Sequence, residues 1–540
     1  MSMRRTSWLR LPAIAPGLGL GLGLALGAAS ASGQTPAPMP TPTQTQRAVP
    51  EPGDVPKAPA VQGVQDWPTE RPPRPLQAKS VQFPPYEMRT LPNGLRVVVV
   101  QQHEQPVVSL RLLVRTGAAQ DPKEKAGVAT LAAALLDQGT ATRTASQIAD
   151  QIDYIGGGLG TGAGTDLSFV NVLVMKDSFD FALTLLSDVV RNPSFTPEEL
   201  ERQREQVLSG LKVSYEDPDY VANAVMDRLI YGFHPYGRPS SGTPESVAAI
   251  TREDLVKFHD TYFAPNNAIL AVVGDLAPDE AMAGVTKIFS DWKQKDVPTP
   301  AMIEPPQPTR RVIVVDRPSA VQTEIRVGQI AIPRNHPDYL ALNVAINILG
   351  GEGGNRLQGV LRSDRGLTYG ASADLNTYKR AGGIIADTDT RTETTTEALR
   401  VVVDEFARLQ KEPVADVELT SAQAYLAGNF PLKIETPDSI AMQVLNAIFY
   451  ELDLKELQNF PERVNAITPA DIQRVSQLYL KPARLSVVLV GDASKFASQL
   501  KGVGFDDVEL ITLPELDLTT VDFRKTGRPA GAGAGVGAAR

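Results

Sequence analysis

Two stretches of the chain carry the same local pattern. Ile250 to Asp275 reads ITREDLVKFHDTYFAPNNAILAVVGD, and Ile467 to Asp492 reads ITPADIQRVSQLYLKPARLSVVLVGD. Thr251 and Thr468 suit helix N-caps, with Asp254 and Asp471 at the reciprocal capping position. Pro265 and Pro482 then stop the helices. The runs ILAVVG and SVVLVG follow, rich in β-branched residues, and predict buried strands. The two stretches match without gaps at an offset of 217: Tyr262 answers Tyr479, Pro265 answers Pro482, and Gly274 answers Gly491. A match of this kind indicates a duplicated domain. Each half also opens on a strand pattern. TLPNGLRVVVVQQ has a turn at Asn93-Gly94 before its strand, and RRVIVVDRP corresponds to it in the second half. Helical stretches such as PEELERQREQVLSGLKVSYED and TTEALRVVVDEFARLQ lie between. Each half is therefore expected to be α+β, with an antiparallel or mixed sheet and many helices. Strand order does not follow from this pattern.

The pattern fails at three places. The segment EPPQPT, Glu304 to Thr309, is dense in proline and reads as a connector between the halves. Before the first half lies a segment rich in Pro, Thr and Gln without the periodicity needed to pack. After the second half the chain ends RPAGAGAGVGAAR. At the extreme N-terminus Arg4, Arg5 and Arg10 precede LPAIAPGLGLGLGLALGAA, and Ala29-Ser30-Ala31 fits a small-residue cleavage signal. This reads as a signal peptide, the alternative being an uncleaved membrane anchor. The expected organisation is a signal peptide over 1–31, a disordered leader over 32–84, a first domain over 85–300, a linker over 301–311, a second domain over 312–515 and a tail over 516–540. Export to the periplasm follows, with membrane association if the signal segment is retained.

Composition adds limits rather than a function. The 540 residues are 42% hydrophobic, with 43 Gly and 43 Pro, as for a globular chain with flexible additions. A net charge of -9 argues against a nucleic-acid partner. With no cysteine there is no disulfide, thiolate ligand or cysteine nucleophile. The four histidines, His103, His234, His259 and His336, are widely spaced, and none forms an HxxEH or HxxH pair. Each reads as a surface or capping residue. Neither a GxSxG elbow nor a GxxxxGK[ST] loop is present.

The segment LPNGLRVVVV, followed by VSLRLLVRTGAAQDPKEKAGVATLAAALLDQGT, resembles the opening of the M16 (pitrilysin, insulinase and mitochondrial processing peptidase-like) family of zinc peptidases. In active members the corresponding helix reads approximately GLAHFLEHMLFKGT, whose histidines bind zinc and whose glutamate activates water. In this chain Thr130 stands at the first histidine, Ala133 at the glutamate and Ala134 at the second histidine. The family's third ligand, a glutamate 76 residues further on, falls on Gly210. Ala and Gly have no donor atom, and Thr130 offers one neutral hydroxyl, a poor lone ligand. The resemblance thus implies a chain with no metal and no cofactor of its own.

The second half resembles the C-terminal domain of the same family in NILGGEGGNRLQGVLRSDRGLTYGASAD. The family shows a glycine-rich turn, here Gly350, Gly351, Gly353 and Gly354, then a helix ending near LREKRGLAY. Arg362 and Tyr369 fall on its arginine and tyrosine positions. In the family this pair reaches the zinc site of the other half, or of another subunit, to hold the peptide backbone and steady charge near the scissile bond. A guanidinium fork and a phenol suit that work, and the glycines would allow a tight turn and close backbone approach.

The resemblance spans about residues 85 to 515. It implies two homologous α/β sandwich domains in tandem, and a subunit not catalytic alone. The implied partner is an HxxEH-bearing M16 subunit that carries the zinc. Together they would form a heterodimeric zinc metalloendopeptidase acting on peptides or unfolded segments. The alternative is a peptide-binding or structural protein with no protease activity.

Overall fold

The computed structural model describes residues 82–299, 304, 306–307, 310–351 and 354–525. The expected signal peptide, most of the leader, Gly353, much of the linker and the last residues of the tail lie outside them. All described residues fall within one compact unit. None of its helices is long and apolar enough to cross a membrane.

The first half builds a six-stranded sheet from β1 (Tyr86–Thr90), β2 (Arg96–Gln101), β3 (Val107–Val114), β4 (Gly158–Ala163), β5 (Ser168–Met175) and β6 (Ala268–Gly274), in the order β1-β2-β6-β3-β5-β4. The second builds another from β7 (Val312–Asp316), β8 (Gln322–Ala331), β9 (Ala371–Thr377), β10 (Gly382–Arg391), β11 (Ser486–Gly491) and β12 (Val508–Thr512), in the order β12-β7-β11-β8-β10-β9. Five strands of one sheet have counterparts in the other. In both, the first of these pairs in parallel with the last, as β2 with β6 and β7 with β11, and the remaining pairings among the five are antiparallel. The sixth strand differs. β1 folds back antiparallel on β2 through the Asn93-Gly94 turn, whereas β12 arrives from the C-terminal end and runs parallel to β7.

The central strands are apolar on both faces because both faces are covered. Val97, Val99, Leu270 and Val272 face the first half's own helices. Val98, Val100, Ile269, Ala271 and Val273 point the other way, and what packs there comes from the second half: Ile440, Ala441, Val444, Leu445, Ile448 and Phe449 of the helix Pro437–Phe449. The arrangement is reciprocal. Ile313, Val315, Val488 and Val490 are covered by Val221, Ala222, Val225, Met226 and Leu229 of the first-half helix Pro218–Tyr231. The two helices are counterparts: PDYVANAVMDRLIY aligns with PDSIAMQVLNAIFY at an offset of 219. The halves therefore exchange equivalent helices, and each sheet's core is completed by the other half.

Each exchanged helix begins Pro-Asp, and each aspartate meets a buried arginine on the sheet it covers. Arg326 of β8, 2% exposed, pairs with Asp219 and donates Nε to Asn223 at 2.8 Å. Arg111 of β3, 5% exposed, stands 3.5 Å from Asp438 and donates Nε to Asn171 at 2.7 Å. The capping boxes at Thr251/Asp254 and Thr468/Asp471 are both formed.

The folded region is wider than 85–515 at both ends. Phe83 is buried beneath β1 and β2. Residues 516–525, expected in a loose tail, instead fold back as a small hairpin through the Leu516–Arg524 bridge. Leu516, Leu518 and Phe523 bury into the core that holds the helix Pro218–Tyr231. Arg228 of that helix fastens the hairpin by donating to the carbonyls of Leu518 (3.0 Å) and Thr520 (3.2 Å).

Candidate functional site

The helix Val128–Ala134 lies against the first sheet with Val128, Ala129, Leu131, Ala132 and Ala133 buried. Gly127 starts it at φ +103, a left-handed conformation that favours glycine. A Cβ there would stand 3.0 Å from the carbonyl oxygen of Ser241. Asp121 caps the helix, accepting from Gly127 N at 2.7 Å and Ala129 N at 2.8 Å. Burial pushes the Asp121 carboxyl up to about 7, with those N–H groups and Arg238 pulling the other way.

The four positions that the resemblance aligns with the zinc ligands and base offer a metal almost nothing. The Thr130 hydroxyl already donates to the carbonyl of Ser240 at 2.7 Å. Ala133 is fully buried and Ala134 half-buried, each presenting a methyl group. Gly210 sits on the exposed side of the helix Pro197–Glu216, with open space where a Cβ would project. A catalytic zinc needs about three protein donors and an open position. This set does not fit the ion, and no cluster of three His, Cys, Asp or Glu among the described residues could hold one.

Arg362 and Tyr369 are differently placed. Arg362 lies in a short π-helical segment, Gln358–Asp364, and Tyr369 in the loop that leads into β9. The guanidinium carbon is 4.6 Å from the centre of the tyrosine ring, a cation–π pair. Tyr369 is 81% exposed, so nothing in the fold requires the ring to be there. Among the described residues, neither the Arg362 guanidinium nor the Tyr369 hydroxyl makes a hydrogen bond or ion pair with protein. The loop beneath them is fastened. Thr390 donates to Leu367 O at 2.7 Å, Thr388 donates to Gly370 O at 2.9 Å, and Ala371 N donates to Gln358 Oε1 at 3.0 Å. Two free polar groups thus stand on an anchored base. They belong to the second half and the helix Val128–Ala134 to the first. Among the described residues no hydrogen bond, ion pair or ring contact joins the two sets.

The glycine-rich turn divides by role. Gly350 closes the helix Tyr339–Gly350, where a Cβ would stand 2.2 Å from Ala373 N, so this helix end and β9 meet backbone to backbone. Gly351 packs on its own helix, with Asn347 Nδ2 only 2.1 Å from a built Cβ. A Cβ at Gly354 would meet nothing within 4 Å. The segment beyond is held by Arg356, buried and bidentate to Glu418 at 2.7 and 2.9 Å.

Of the four histidines, His234 and His259 are buried rather than on the surface. His234 accepts from Tyr236 N at 3.1 Å, a capping contact, and His259 Nε2 bonds the Val190 carbonyl at 2.8 Å. Burial holds the His259 pKa below its usual value. His103 is exposed and paired with Asp275, and His336 accepts from Asp338 N at 3.1 Å. None adjoins another at metal-binding spacing.

Comparison with known proteins agrees with this architecture. The family described as Insulinase (Peptidase family M16) matches residues 96–243, and the Peptidase M16 inactive domain matches residues 249–426. The chain belongs to peptidase family M16. Among its relatives, an uncharacterized zinc protease of Mycobacterium leprae is 26% identical over 411 residues, covering 75% of this chain and 92% of that protein. The non-peptidase homolog YmxG of Helicobacter pylori is 23% identical, covering 74% and 92%. A crystal structure of a peptidase M16 inactive domain from Pseudomonas fluorescens aligns with TM-score 0.71 at 30% identity, covering 75% of this chain and 98% of that one.

Proposed function

We propose that this chain is the non-catalytic subunit of a heteromeric M16 zinc metallopeptidase, and that it lends Arg362 and Tyr369 to the active site of an HxxEH-bearing partner. The observation that carries the reading is the contrast between the two sites. The positions that hold zinc in active relatives have no usable donors, while Arg362 and Tyr369 keep both polar heads free on a braced loop. The name of the Helicobacter pylori relative is in keeping with it, although others carry zinc-protease names.

The partner's zinc would supply the activated water. The Arg362 fork would hold carbonyl oxygens of the peptide on either side of the scissile bond. The Tyr369 hydroxyl would donate to the oxygen that gains negative charge as water attacks. β9, an edge strand of the second sheet, begins two residues after Tyr369, so an extended peptide pairing with that edge would start beside the ring. Export to the periplasm belongs to the same reading and rests on the N-terminal segment alone.

The test is reconstitution with the zinc-bearing partner. Activity should appear only on mixing, and Tyr369→Phe should cut turnover by ~10²–10³ with assembly and zinc content unchanged. Full cleavage by both Tyr369→Phe and Arg362→Ala complexes would leave this chain a structural or peptide-binding partner.

A further inference from the structure

A cavity of about 910 Å³ opens where the first-half loops around Asp121 and Tyr236 meet Arg380 and the C-terminal hairpin of the second half. Its size and its place at a junction between halves are those of a small-ligand site. Much of its wall is apolar, with Phe233 and Tyr262 on the first-half side and Leu518 on the other.

The charged groups in that wall are unevenly satisfied. Arg228 is 5% exposed. It donates only to the carbonyls of Leu518 and Thr520, and its face lies 3.7 Å from the centre of the Phe233 ring. Among the described residues it has no carboxylate within ion-pairing distance. Arg311, another cation, adds to burial in pushing its pKa down to about 10. Among the described residues Arg238 donates only to the carbonyls of Asp121 (3.2 Å) and Pro122 (3.4 Å) and makes no ion pair either. The deep carboxylates are occupied elsewhere. Asp121 holds the helix N-terminus, and Asp166 accepts from the Tyr236 hydroxyl at 2.8 Å and Lys379 N at 2.9 Å. Burial raises the pKa of both, which weakens them further as counter-charges. Glu124 and Glu245 stand exposed at the rim. A buried cation without a counter-charge is costly, and here the open side of that deficit is a cavity.

We propose that this cavity binds an organic carboxylate with an apolar or aromatic body, its charged end met by Arg228 and Arg238 and its body by Phe233 and Tyr262. The same chemistry is offered by a small free acid and by the C-terminus of a peptide with an apolar last residue. The site is separate from Arg362 and Tyr369 and does not depend on a protease partner.

The full chain alone is titrated calorimetrically with 3-phenylpropionate and with an N-acetylated tetrapeptide ending in Phe, each beside its amide. At least one acid should bind and its amide should bind ~10-fold more weakly or not at all. Arg238→Gln and Phe233→Ala should each weaken the acid by about tenfold, read on variants whose unliganded melting is still cooperative. Phe233 is 58% exposed, so its truncation opens no core cavity, and the melting temperature reads the loss of its stacking on Arg228 separately from the loss of binding. Tighter binding of the peptide acid would assign the site to peptide C-termini, and tighter binding of 3-phenylpropionate to small acids. No binding of either acid at millimolar concentration, equal binding of the amides, or affinity that survives both substitutions would overturn the proposal.

Discussion

The two halves share five strands, their pairing and a capped helix, yet they keep different things at equivalent places. After β3 the first half runs into a seven-residue helix, Val128–Ala134, that buries methyl groups. After β8 the second half runs into a twelve-residue helix, Tyr339–Gly350, and then into the segment that presents Arg362. The chemistry at these places differs completely while the frame does not. The frame is held by the sheet cores and by the exchanged helices, none of which use a site residue. The residues at these places can therefore differ between the halves with no loss of architecture.

The exchange itself is unequal in its polar fastenings. Arg326 is paired with Asp219 and also has Asn223, Glu324 and the Ile325 carbonyl in reach. Arg111 has Asn171 and a longer contact to Asp438, and its Nη1 is buried without a hydrogen bond. Burial lowers the Arg111 pKa, with Asp438 offsetting part of the cost.

The most severe way to break the comparison is to remove the apolar grip of one exchanged helix. Phe449 is 1% exposed and packs on the first sheet although it belongs to the second half. Phe449→Ala should cost ~3–5 kcal/mol, and a first-half probe on β6 should lose its order together with second-half probes in one cooperative transition. Hydrogen exchange resolved by segment checks this, and unchanged protection of β6 would show that the first half does not need the helix.

Next in size are the arginines. Arg326→Met should cost about 2 kcal/mol in denaturant unfolding, and Arg111→Met clearly less, because only Arg326 is fully paired. Equal costs would mean that the two fastenings are equivalent despite their geometry.

The smallest effect is the share of the pH dependence that one helix carries, beside the share of Asp121. Asp227 lies on Pro218–Tyr231, and its counterpart on Pro437–Phe449 is Asn446. Burial pushes the Asp227 carboxyl up to about 7. The folded state therefore binds its proton more tightly than the unfolded chain. This group's contribution is most favourable below the unfolded value near 4 and is lost as pH rises toward 7. Asp227→Asn should make that slope shallower, leaving the part due to Asp121, and raise stability at pH 8 by on the order of 1 kcal/mol, discounted for the side chain's partial exposure. Thermal melts from pH 5 to 8 decide it; a variant with the parent's slope would remove Asp227 as its source.

What the sequence made legible was local. The two Thr-x-x-Asp caps are complete within four residues, and both are formed. The apolar runs VVVV and ILAVVG announced strands, the second of them buried, but not what covers them. The offset of 217 that exposed the repeat shifts to 219 at the exchanged helices, so the repeat does not reveal them at a constant spacing. Their cross-packing joins residues far apart in the chain, from one half to the other, which no periodicity encodes. The hairpin at 516–525 was missed because Leu516, Leu518 and Phe523 are isolated apolar residues in a polar stretch. At the candidate site, Arg362 and Tyr369 stood out by their frame, whereas Thr388 and Thr390, which brace the loop, lie on another strand and carry no motif. Asp121, the cap of the helix Val128–Ala134, had only an ordinary acidic position to announce it.

The exchanged helices also impose an order on synthesis. The last strand of the first sheet ends at Gly274, but the helix that covers its outer face ends at Phe449. A ribosome working at ~5–20 residues per second would leave that face bare for roughly 10–35 s. During that interval Val98, Val100, Ile269 and Val273 would offer an uncovered apolar surface to any neighbouring nascent chain. A holdase, or delivery of the whole chain unfolded to another compartment, would carry the polypeptide across this gap, and the first half expressed alone would meet its own copies before anything else.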